Sequence, residues 1–89
     1  MNNQFVLPRV IGHRGLKDLS PENTLESISK AFEFGLDCVE VDVKISKDNI
    51  PILIHDDTLD RTTSGSGMVC DFTFDEIKNF DAGYFFYKS

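Results

Sequence analysis

Val10-Ile11-Gly12-His13-Arg14-Gly15 reads as the end of an apolar strand that stops at a histidine and an arginine bracketed by glycines. With Phe5-Val6-Leu7 on the far side of Pro8-Arg9, it predicts one short buried strand ending at His13. The chemistry at that end suits an anionic substrate. An imidazole moves a proton, and a guanidinium grips a phosphate through two parallel N–H donors. Alone the pair is a weak signal, because Arg14 equally fits a surface salt bridge.

Working outward, a polar loop holding Pro21-Glu22-Asn23-Thr24 leads into Leu25, Ile28, Ala31 and Phe32 at helical spacing, with Glu26, Lys30 and Glu33 turned outward. Asn23 is the expected N-cap, Glu26 the return arm of its capping box, and Gly35 the left-handed residue that closes the helix. Cys38-Val39-Glu40-Val41-Asp42-Val43-Lys44-Ile45 then alternates with the period of a strand. Valines share one face; Glu40, Asp42 and Lys44 share the other. Ser46-Lys47-Asp48-Asn49 predicts a turn and Ile50-Pro51-Ile52-Leu53-Ile54 a second apolar strand. Paired as a hairpin, these strands put Glu40 and Asp42 beside the end that carries His55. Both histidines follow apolar strands at their C-terminal ends, where α/β folds and barrels build their sites.

Beyond Asp57, the run from Thr58 to Gly67 predicts an exposed loop. Thr73 and Glu76 form a capping box opening a short helix through Ile77 and Phe80. Gly83-Tyr84-Phe85-Phe86-Tyr87 is an apolar tail with no element assigned, and there is no internal repeat.

Composition narrows the function. Fifteen acidic against nine basic residues give a net charge of -6, which argues against nucleic acid as a partner. An apolar fraction of 40% with eight phenylalanines indicates a globular chain. Cys38 and Cys70 lack the paired spacing of a zinc site and are expected to be reduced, partly buried thiols. No run reaches the length of a membrane span, and Met1-Asn2-Asn3-Gln4 lacks the layout of a signal peptide. The expectation is a soluble, cytoplasmic protein.

Glu40 and Asp42 offer hard oxygen ligands suited to Mg²⁺ or Ca²⁺, and the same spacing also describes an ordinary solvent-facing strand edge. His13 and His55 fit an acid–base pair, and equally two ordinary histidines. Joint placement at strand ends favours the chemical reading of each.

The series His13-Arg14-Gly15, Pro21-Glu22-Asn23-Thr24, Glu40-x-Asp42, Asp48, His55-Asp56 and Leu59-Asp60-Arg61-Thr62-Thr63 closely resembles the N-terminal part of the glycerophosphodiester phosphodiesterases, in order and spacing, from about Val10 to Phe86. The resemblance implies a (β/α)₈ TIM-type barrel and metal-dependent hydrolysis of a glycerophosphodiester, a small-molecule substrate, to glycerol 3-phosphate and an alcohol. It implies His13 and His55 as the catalytic acid–base pair, Arg14 as the phosphate binder, and Glu40 and Asp42 as ligands of a divalent metal. Glu22 and Asn23 would give support and helix capping, and Arg61, Thr62 and Gly65 a structural contribution.

A barrel of this kind needs roughly 250 residues, so residues 1–89 are expected to form the N-terminal part of one barrel domain, incomplete in this chain. A further acidic metal ligand is expected beyond Ser89. An exposed strand edge and apolar face lead to an expectation of self-association. Two other readings stand beside the enzyme: a non-catalytic module that binds glycerophospho-ligands or a partner chain, and lysophospholipase D-type specificity.

Overall fold

The structure, a computed structural model, describes residues 10–88. The Phe5–Arg9 part of the expected first strand lies outside the described residues. The remainder of that strand is β1, Gly12–His13. Gly12 is buried, but Val10 and Ile11 are exposed, contrary to a buried strand.

The parallel partner of β1 is β2, Val39–Glu40, with Gly12 opposite Val39 and His13 opposite Glu40. They are joined through helix α1, Leu25–Glu33. The N-cap of α1 is Thr24 rather than Asn23. Thr24 Oγ1 accepts from the Ser27 amide, and Ser27 Oγ accepts from the Thr24 amide, so Ser27 replaces Glu26 in the capping box. Asn23 is excluded because it has φ 55° and its side chain is spent on Asp42. At the other end Gly35, at φ 85°, closes the helix as expected. Its amide donates to Phe32 and that of Leu36 to Ala31, a Schellman motif. The buried face of α1 carries Ser27 and Ala31, while Leu25 is 80% exposed and Phe32 is also exposed.

The expected strand over 38–45 is in fact two. After β2 it breaks at Val41-Asp42 and resumes as β3, Val43–Ile45, antiparallel to β4, Pro51–Leu53. The break has a local cause. The Asp42 amide donates to Asn23 Oδ1 at 3.0 Å, and its carbonyl accepts from Ile54 at 2.9 Å, so neither group is free to continue the β2 ladder. One alternating run thus serves two sheets. The turn between β3 and β4 is the predicted one, with Asn49 at φ 64° and its amide bonded to the Ser46 carbonyl.

Ile54, Leu59 and Val69 form an apolar cluster, against which Ile52, Phe72, Ile77 and Phe80 pack. Phe72 and Phe80 meet edge to face with centroids 5.6 Å apart. The run 58–67 is therefore not simply an exposed loop. Leu59 is 1% exposed and Thr63 is buried, and the Leu59 amide donates to Gly67 across a Thr58–Met68 antiparallel bridge. A 3₁₀ turn at Val69–Asp71 leads to α2, Phe74–Ile77, capped by Thr73 and Glu76 as the sequence predicts. The aromatic tail forms α3, Tyr84–Lys88. Both cysteines are free; Cys38 is half-buried, but Cys70 is exposed rather than partly buried. Among the described residues no helix is long and apolar enough to cross a membrane.

Candidate active site

Arg14 is the hub of the site, and its backbone is unusual for an arginine, with φ 53°. That left-handed conformation costs about 1 kcal/mol or more and persists only when its surroundings fix it. Three bonds do so. Its amide donates to Glu40 Oε1 at 3.1 Å, and its carbonyl accepts from the Asn23 amide at 2.8 Å and from Ser27 Oγ at 3.1 Å. Gly15 follows at φ 79°, where a Cβ would lie 2.2 Å from Ser27 Oγ. Only glycine lets the loop pass that close to α1.

The Arg14 side chain lies between two carboxylates. Nη1 donates to Glu22 Oε2 at 3.1 Å, and Nε is 3.6 Å from Asp42 Oδ2, near enough for charge attraction but too far for a hydrogen bond. Nε is buried and without a hydrogen-bond partner among the described residues, an unspent donor at the heart of the cluster. Asn23 Nδ2 donates to Asp42 Oδ2 at 3.2 Å, so Asn23 holds Asp42 by both side chain and backbone. His13 is about half exposed, with Nε2 3.9 Å from Glu40 Oε1.

His55 stands one residue past the Ile54–Asp42 hydrogen bond. Its Nδ1 lies 2.8 Å from Asp56 Oδ1. Arg61 binds both Asp56 oxygens, through Nε at 2.8 Å and Nη2 at 3.0 Å. It also binds both Glu22 oxygens, through Nη1 at 3.0 Å and Nη2 at 3.1 Å. The Arg61 hydrogen bond and then that of His55 hold the Asp56 carboxyl far below the usual carboxylate range, and the two carboxylates push Arg61 further up. For Glu22, burial is the largest influence and raises its pKa; the arginines together outweigh it and leave the group below its ordinary value. Asp56 is therefore an ionised acceptor, so Nδ1 of His55 donates to it.

One network thus gathers His13, Arg14, Glu22, Asn23, Glu40, Asp42 and His55. Asp56 and Arg61 join it; the sequence marks Asp56 only as an acidic residue beside His55 and gives Arg61 only a structural contribution. Arg61 lay in a run whose Ser, Thr and Gly content resembles a plain loop. A cavity of about 260 Å³ lies on the Lys17 side of Glu22 and Arg61, and is lined by neither histidine nor Arg14. The network, rather than that cavity, holds the reactive groups.

A sequence model of the glycerophosphoryl diester phosphodiesterase family matches residues 13–88. The chain belongs to this family. A glycerophosphodiester phosphodiesterase of Caldanaerobacter subterraneus is 51% identical over 74 residues, which are 83% of this chain and 30% of the relative. Among solved structures, a phosphodiesterase of Oleispira antarctica in complex with the product sn-glycerol-3-phosphate superposes with a TM-score of 0.84 at 47% identity, covering 85% of this chain and 31% of that one. A glycerophosphodiester phosphodiesterase of Agrobacterium tumefaciens gives 0.85 at 41% identity, covering 90% and 35%. The chain spans about a third of the length of these family members. Its fold class is α/β, corresponding to the N-terminal portion of the family's (β/α)₈ barrel.

The donor chemistry fits a divalent metal. Glu40 Oε2 and Asp42 Oδ1 have no hydrogen bond among the described residues, and both carboxylates converge on Arg14. The described residues contain no group of three or more ligating side chains. Two carboxylates are hard oxygen donors of the kind that form part of a divalent-cation shell.

Proposed function

We propose that this chain carries the phosphate-handling and acid–base groups of a glycerophosphodiester hydrolase that releases glycerol 3-phosphate and an alcohol. The observation that carries the reading is Arg14, fixed between Glu22 and Asp42 with a buried, unspent Nε–H and joined through hydrogen bonds to His55. Family membership supports it, as does the product named for the Oleispira structure.

Arg14 binds the phosphate oxygens. Its remaining donors are oriented before substrate arrives, because Glu22 already fixes the guanidinium plane. His55 accepts a proton at Nε2 while Asp56 holds Nδ1–H, and His13 serves the other proton transfer. Across the reaction one P–O bond to the alcohol breaks and one to the attacking oxygen forms. The proton taken from the attacking oxygen and the one given to the leaving alcohol pass through these imidazoles. Glu40 and Asp42 would hold the divalent metal, Mg²⁺ or Ca²⁺, which supplies charge neutralisation and a lowered pKa for the attacking oxygen. Asn23 steadies Asp42 for that purpose. In this reading the protein is cytoplasmic, and the exposed apolar residues Leu25, Phe32 and Phe34 support self-association.

The test is turnover of sn-glycero-3-phosphocholine by the protein, expressed with whatever its reading frame encodes past Ser89. His13→Ala and His55→Ala should each lower kcat by about a thousandfold. Chelation should abolish turnover, and Mg²⁺ or Ca²⁺ should restore it. Undiminished activity in both histidine variants overturns the reading.

A further inference from the structure

We propose that Arg61 is a positioning residue that sets the placement of Arg14 relative to His55 by clamping Glu22 and Asp56 together. The inference rests on the catalytic reading of Arg14 and His55 above. Glu22 lies on the segment that follows β1 and Asp56 on the segment that follows β4, and Arg61 is hydrogen-bonded to both oxygens of each. Each carboxylate also serves a functional side chain. Glu22 Oε2 accepts from Arg14 Nη1 as well as from Arg61 Nη2, and Asp56 Oδ1 meets His55 Nδ1 as well as Arg61 Nη2. The chain His55, Asp56, Arg61, Glu22, Arg14 is unbroken, with every link between 2.8 and 3.1 Å.

An ordinary surface ion pair would not have this form. The Arg61 side chain is 48% exposed, so its pairs add little to stability. What they add is direction. A planar guanidinium with two carboxylates on two of its edges fixes their separation and tilt, which a single ammonium cannot do. The loop after β1 and the loop after β4 are otherwise joined near the site, by way of Asp42, through the Ile54–Asp42 hydrogen bond and the Asn23–Asp42 contacts, none of which reaches the Glu22 or Asp56 carboxylate. Misplacing a reacting group by about 1 Å can cost about a hundredfold in rate. Arg61 acts on the chemistry through that distance and touches no reacting atom.

The experiment compares Arg61→Ala, Arg61→Lys, Glu22→Gln and Asp56→Asn with the parent in turnover of sn-glycero-3-phosphocholine, with thermal melts in parallel. Arg61→Lys should fold with an almost unchanged Tm and lose about thirtyfold in kcat. Glu22→Gln, which loosens Arg14, should chiefly raise KM; Asp56→Asn, which loosens His55, should chiefly lower kcat. Each is expected at about tenfold. Glu22→Gln added to Arg61→Lys should cost less than the product of the single losses, because the links act in series. If Arg61→Ala does not fold, the lysine variant decides. Full kcat in Arg61→Lys, or losses that multiply in the double variant, overturns the proposal. Arg14→Ala and His55→Ala tell its failure from that of the catalytic reading. Should they abolish turnover while Arg61→Lys is normal, only the clamp is wrong.

Discussion

Around Arg14 the buried groups are mostly polar: Ser20, Asn23 and Ser27, with Pro21 and Ala31 as the apolar side chains among them in the described residues. Behind the β3–β4 hairpin Ile54, Leu59 and Val69 form an apolar cluster packed by Ile52, Phe72, Ile77 and Phe80, with Thr63 and Ser46 the buried polar groups of that half. The first region is shaped by directional bonds, the second by area removed from water. Directional bonds fix where each group points and contribute only about 1 kcal/mol net apiece. Apolar burial contributes about 25 cal/mol per Å² and imposes little direction. A site that must aim guanidinium and carboxylate groups needs the first kind of packing, and the second kind anchors it. The anchor reaches the site through the segment Asp56–Thr63, whose Leu59 is buried in the cluster while Arg61 binds Glu22.

The sharpest way to break this contrast is Leu59→Ala. Leu59 is one of the largest fully buried side chains, so its truncation leaves a cavity and should cost about 3 kcal/mol in urea unfolding. A loss under about 1 kcal/mol would mean the cluster collapses around the gap and is not the anchor. In the polar region the largest effect should come from Gly15→Ala. The new Cβ would meet Ser27 Oγ, Cβ and backbone carbon, all within 3 Å, at a φ of 79°. Strain and displacement together should cost about 2 kcal/mol. Because the same Ser27 hydroxyl bonds the Arg14 carbonyl, phosphate binding should weaken with it. A Gly15→Ala protein of parental stability would show that the Arg14 loop is not held as tightly as its bonds imply. Thr24→Ala comes next. It removes the acceptor for the Ser27 amide, and about 1 kcal/mol of stability should go with it. A neutral result would leave α1 without its capping box.

The apolar region was partly legible in the sequence and the polar region much less so. Hydrophobic period and turn chemistry located the hairpin and the Thr73–Glu76 cap, since both are set by residues near in sequence. The same period joined β2 and β3 into one strand. What breaks it is the Asn23–Asp42 pair, nineteen residues apart, which leaves no mark on alternation. Asn23 was misplaced as the N-cap for the same reason: an asparagine engaged elsewhere looks identical to one that caps. The histidines, Arg14 and the acidic pair were found by residue type and order. Arg61 was not assigned to the site, because the carboxylate that gives it a role lies thirty-nine residues away.

The smallest effect expected is one of pH, and it belongs to the segment that joins the two regions. Asp56 has its pKa lowered from 3.8 by Arg61 and His55. A carboxyl held below its ordinary value is ionised in the folded protein at pH values where the unfolded chain has already taken up a proton. Its contribution to stability is therefore full above about pH 4, and it is lost as pH falls from there toward the folded value. The group is partly exposed and the pair is screened, so the contribution should stay below about 1 kcal/mol. A protonated carboxyl and an amide are close in shape, which makes Asp56→Asn the matched control. The variant should be less stable than the parent at pH 6, and the gap should begin to narrow as both are unfolded in urea at pH 4 and then pH 3. Asp48 and Glu76 are also lowered and will tilt both curves, but they lie outside the Arg61 network, are common to the two proteins and cancel in the difference. A gap that holds steady or widens toward pH 3 would mean that the Asp56 charge is not what ties Arg61 and His55 together.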